Sequence, residues 1–92
     1  MSGGERAAFE QRVLELVRSH IQPFDEPRLG TQMFHGARLE GSYPDAQVEI
    51  EYSFTDDPVR RVERYGIWAP EFSMEADPDG IAVLIYAYVC GG

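Results

Sequence analysis

The sequence predicts an α+β fold: an N-terminal helix packed on one face of a curved antiparallel sheet of about five strands, forming a two-layer sandwich. Three observations carry that expectation. Apolar residues recur at three- and four-residue steps across residues 9–21, which is a helical period. Residues 48–54 alternate apolar and polar without error, which is a strand period. The remaining segments are short and divided by Pro, Gly and Asp, the punctuation of turns. The chain has 92 residues, enough for one α+β domain over residues 1–92 and too few for two.

The helix is expected at about residues 4–21. Ser2 and Glu5 have the spacing of a capping box, in which each side chain satisfies an amide of the first turn. Phe9, Val13, Leu16, Val17 and Ile21 share one face, and Leu14 widens it. Arg6 with Glu10, and Arg12 with Glu15, stand at helical pair spacing on the other side. Pro23 bounds the helix, because the residue before a proline avoids the α region. Residues 22–30 then read as a connecting loop with two prolines and a closing glycine.

Residues 37–42 read as a weak first strand, and Tyr43-Pro44-Asp45-Ala46 as the turn after it. In the next strand Val48, Ile50, Tyr52 and Phe54 face the core, while Glu49, Glu51 and Ser53 face away. Residues 58–66 read two ways. Asp57 as N-cap, Pro58 in the first turn and Gly66 as C-cap frame a short helix. A strand is preferred, because a four-residue turn pairs Phe54 with Val59 and Glu49 with Arg64, and places Arg60 beside Ser53, so that opposite charges meet. That register puts Arg61 and Glu63 on the core face, and a β-bulge is the expected remedy. Residues 71–75 alternate again, Asp77-Pro78-Asp79-Gly80 reads as a turn, and residues 81–90 run apolar on both faces, as a central strand does. One helix cannot cover five strands. The second face is therefore expected to be covered by loops, by curvature or by another molecule, for example as a homodimer through the sheet.

Composition narrows the function classes. No apolar run reaches membrane-spanning length, and the N-terminus lacks the basic and apolar regions of a signal peptide, so a cytoplasmic location is expected. The net charge of −8 argues against nucleic acid and against anionic membranes. The imbalance is local: residues 1–30 hold five acids and four arginines, and residues 31–92 hold eleven acids and four arginines. The negative field therefore belongs to the sheet half. Every basic residue is arginine, and asparagine is absent, the mark of GC-rich coding; lysine chemistry is excluded. Cys90 is the single cysteine, expected as a small buried side chain at a strand end.

No motif specifies a reaction, a metal or a cofactor. His20 suits a helix C-terminus, and His35 lies near a strand start with no ligand or nucleophile at a fixed spacing. The paired acids Asp56-Asp57, Asp77-x-Asp79 and Glu49-x-Glu51 read as turn and surface residues. The leading expectation is a non-catalytic protein-binding module that docks a basic partner. Glu40, Glu49 and Glu51, with Asp56 and Asp57 at the turn, would provide steering and charge pairing. In size and charge the chain resembles the immunity proteins, small acidic bacterial proteins that neutralise toxins. A second expectation is a cup for a small ligand, with weak enzymatic action, lined by His35, Tyr52, Tyr65 and Trp68. The chain also ends in Gly91-Gly92, and residues 79–92 look like the last strand and tail of ubiquitin-like sulfur carriers. That resemblance implies adenylation of the terminal carboxylate, but those carriers open with a β-hairpin and this chain opens with a helix.

Overall fold

The computed structural model describes residues 3–69 and 77–90. Among these residues it shows the expected α+β class, with four strands where about five were expected over the whole chain, and with a second helix. Helix α1 runs Gly3–His20 and buries Val13, Leu14 and Val17, the apolar face read from the period. Ser2 of the capping box lies outside the described residues. The chain then enters a four-stranded antiparallel meander, with strands in sequence order: β1 (Phe24–Glu26), β2 (Gly30–Glu40), β3 (Gln47–Phe54) and β4 (Asp57–Gly66).

The expected loop over residues 22–30 contains β1. Three residues suffice because Phe24–Glu26 pairs with Gly30–Gln32 across a tight turn. The Glu26 carboxylate accepts from the Arg28 and Leu29 amides at 2.8 and 2.7 Å, and Gly30 takes a φ of +84°. A Cβ at Gly30 would lie 2.2 Å from Thr55 Oγ1, so only glycine fits there. Strand β2 begins seven residues before the strand expected at residues 37–42. Its alternation is broken by a bulge at His35, where the register shifts between Phe34 and Gly36, and the break hides the period. The remaining length of β2 is open on its outer side, where the Arg18 guanidinium of α1 donates to Ala37 O at 2.7 and 3.0 Å.

Strand β3 faces as expected, with Val48, Ile50, Tyr52 and Phe54 in the core. Residues 58–66 form a strand and not a short helix. The expected pairing of Glu49 with Arg64 is present. Phe54, however, pairs with Asp57 and not with Val59, because the turn has two residues and the slack is taken up opposite Ser53. Arg61 and Glu63 do fall on the core face, and each is satisfied at its rim. Arg61 lies over the Phe54 ring at 4.8 Å and pairs with Asp57 at 2.6 Å; Glu63 accepts from Tyr65 at 2.8 Å.

The largest departure is at the end of the chain. Residues 81–90 are not a central strand but most of helix α2, Pro78–Val89, and Asp77-Pro78 is its start rather than a turn. The Asp77 carboxylate accepts from the Asp79 amide at 2.9 Å, and Pro78 sits in the first turn, where its missing N–H costs nothing. Cys90 is the C-cap, half-buried, and not a strand end. The strand expected at residues 71–75 lies outside the described residues. Ile81, Ala82, Ile85 and Val89 of α2 join α1 and the sheet in one core, and buried Gln32 Nε2 donates to Val89 O at 3.1 Å. Both helices therefore lie on one face of the sheet, and among the described residues the other face carries no helix. Apolar residues on both sides of 81–90 thus do not require a covered second sheet face. The outward side of α2 leaves Val83 and Tyr88 exposed. Among the described residues no helix is long and apolar enough to cross a membrane.

Candidate functional site

The uncovered sheet face carries three of the five residues read as partner-binding, Glu40, Glu49 and Glu51. None stands alone. Glu49 is 7% exposed, held between Arg38 and Arg64, the latter at 2.9 Å. Arg38 also reaches Glu40 at 2.9 Å, and Arg60 pairs with Glu51. Strand register causes this: Arg38, Glu49 and Arg64 are opposite one another on β2, β3 and β4. The face is therefore a neutralised lattice of alternating charge, not a bare acidic patch. Met33 and Val62, about two-fifths exposed, are opposite Ser53 and Glu51 on the same face. Asp56 and Asp57 sit at the β3–β4 turn, where Asp57 is paired with Arg61 and Asp56 has no arginine within ion-pair reach.

The four residues read as a ligand cup do not converge. His35 points to the uncovered face, Tyr52 and Tyr65 line the core face beside Glu63, and Trp68 packs at the far end against α1. Burial, then the Glu63 hydrogen bond and charge, push the Tyr52 phenol up to about 12; the Tyr65 phenol is raised by the same causes. Burial also raises the Cys90 thiol, which holds it away from the reactive thiolate form.

Two arrangements were invisible in the sequence. In the first, the bulge at His35 brings its Nε2 within 2.6 Å of Ser53 Oγ, beside a depression of about 160 Å³ lined by His35, Gly36, Arg38, Glu49 and Glu51. Strand pairing supplies this neighbour, and linear spacing cannot. The second surrounds Trp68. Glu10 was read as a surface partner of Arg6. Instead it is 4% exposed and accepts from Trp68 Nε1 at 2.7 Å. Arg6 lies over the Tyr43 ring at 3.9 Å. Phe9 stacks on Trp68, and Tyr43 meets it edge-on, with centroids 5.1 and 5.2 Å apart. A cavity of about 240 Å³ opens here, lined by Gly3, Arg6, Ala7, Glu10, Ser42 and Tyr43. A sequence signal for Glu10 did exist: it precedes Leu14 by four residues and Val17 by seven, and so shares their buried face.

Among the described residues no group of three His, Cys, Asp or Glu is placed to hold a metal ion. No family model, no curated protein and no solved structure matches the chain.

Proposed function

We propose that this domain is a protein-binding module for a basic partner, with the helix-free face of the sheet as its docking surface. The supporting observation is that both helices lie on the opposite face, leaving a rigid, prealigned row of ion pairs around Met33 and Val62. Prepaired side chains lose little further freedom on docking, and partner cations join the network in exchange with Arg38, Arg60 and Arg64. The net charge of −8 steers the approach, and Asp56, lacking an arginine of its own, is a rim contact. Stopped-flow association with an arginine-rich peptide at low and high salt tests the reading. The Glu51→Gln, Asp56→Asn double variant should slow association about tenfold and flatten its salt dependence. An unchanged rate would remove the sheet face as the docking surface.

The close His35–Ser53 contact favours a second, catalytic reading. His35 Nε2 would take the Ser53 proton as Oγ attacks an activated ester carbonyl; the alcohol would leave, and water would then release the acid. Hydrolysis of a small aryl ester, lost in both Ser53→Ala and His35→Ala, would establish it; equal rates in all three proteins would dismiss it. The carrier resemblance loses its structural footing, since the stretch likened to a last strand is helix α2. Gly91 and Gly92 lie outside the described residues.

A further inference from the structure

We infer that the cavity at Glu10 is an anchor pocket for one arginine side chain of a basic protein partner. The inference rests on the partner class proposed above and gives that partner a contact apart from the sheet face.

The first observation is a buried carboxylate without a cation. Glu10 is 4% exposed, lines the cavity and receives one hydrogen bond, from the Trp68 indole. None of the ion pairs among the described residues includes it. A carboxylate taken out of water is ordinarily compensated by a positive partner, because a single neutral donor replaces little of its lost hydration. The second observation is the wall. Tyr43 is nearly half exposed and stands edge-on to Trp68, so an aromatic surface borders the carboxylate. Aromatic faces beside a carboxylate suit a planar cation, which stacks on one and hydrogen-bonds to the other. The third observation is size. About 240 Å³ falls below the roughly 300–1,000 Å³ of pockets for whole small molecules, and matches a single side chain better.

Arg6 displays the same chemistry from within. Its guanidinium already lies on Tyr43, yet it forms no ion pair with Glu10 one helical turn away. It sits at the mouth as a competing cation, held by the ring and not by the carboxylate. An incoming guanidinium takes the position between the Tyr43 face and Glu10 and displaces Arg6 outward.

Trp68 is the only tryptophan, so its fluorescence reports the pocket directly. The experiment titrates the full chain with agmatine, a guanidinium probe with an ammonium tail, and with 1,4-diaminobutane, which has the same two charges without the planar group. Agmatine should give a saturable Trp68 signal in the millimolar range. Glu10→Gln retains an acceptor for the indole but not the charge, and should weaken agmatine about tenfold without lowering the thermal midpoint. Tyr43→Leu, on an exposed ring, should weaken it as well, and Arg6→Ala should tighten it. 1,4-Diaminobutane should bind about threefold more weakly than agmatine. No saturable signal, equal binding by Glu10→Gln, or equal binding of the two probes would overturn the inference. Glu51→Gln on the sheet face should leave agmatine binding unchanged, and parallel weakening there would reduce the effect to overall charge. Agmatine binding that fails while the peptide still docks through the sheet would sink the pocket alone.

Discussion

Glu49 and Glu10 are the two least exposed glutamates among the described residues, and they are compensated in opposite ways. Glu49, on β3, is pinned between two arginines contributed by the strands on either side. Glu10, on α1, meets one indole N–H and, among the described residues, no ion-pair partner. Glu63 falls between them, with neutral phenols as its hydrogen-bond donors. The contrast separates burial from pairing. Cross-strand register supplies a charged partner as part of the fold, because opposite residues must meet. A helix face turned onto an aromatic cluster supplies only what its own packing needs. The charge of Glu10 thus has no ion-pair partner among the described residues, whereas that of Glu49 is matched by its neighbouring strands.

The strongest way to break the contrast is to remove what encloses Glu10. Trp68→Ala deletes the indole donor and the packing against Phe9 and Tyr43 together. It should cost about 3 kcal/mol in urea unfolding followed by circular dichroism. The next effect compares the two carboxylates directly. Glu49→Gln leaves Arg38 and Arg64 facing each other across a neutral amide, with an expected loss of about 1–2 kcal/mol that shrinks at high salt. Glu10→Gln removes a charge that has no cation and should be neutral or slightly stabilising in the same assay. If the two variants lost the same stability, Glu10 would have a hidden cationic partner and the distinction would fail. The smallest effect concerns Glu63. Its tyrosines hold their protons more tightly folded than unfolded, Tyr52 at about 12 against an ordinary 10.0. Between those values the native state binds more protons than the unfolded one. Stability should thus be complete below pH 10 and fall as pH rises through about 12. Tyr52→Phe should shallow that fall, as read by thermal melts across the alkaline range; an identical slope would mean that burial and the Glu63 bond do not hold the phenol's proton.

How much of this the sequence revealed depended on asymmetry. Residues 48–54 announced their strand because one face is buried and the other charged, so the two-residue period survives. Residues 81–90 gave no such sign. A helix apolar on most sides and a strand apolar on both sides look alike over ten residues. Only Asp77 and Pro78 distinguished them, and the same pair also suits a turn. The bulge at His35 masked β2, and the shared slack opposite Ser53 moved the β3–β4 turn. The acids of the sheet face away from the helices were legible, but their arginine partners were only partly so: Glu49 with Arg64 followed from the β3–β4 register, whereas Arg38 required knowing where β2 began. The Glu10 pocket was missed because a charged residue four positions from an opposite charge was assigned to the solvent side.

Arg18 has a further consequence. A sheet ordinarily has two borders along which another strand can add, and a molecule with both open can grow into a fibre. Here one border is stopped by a side chain: the guanidinium occupies Ala37 O, and β1 shields the start of the same strand. Among the described residues β4 is the border left without such a stop, and replacing Arg18 with a short residue would uncover the Ala37 carbonyl on the other.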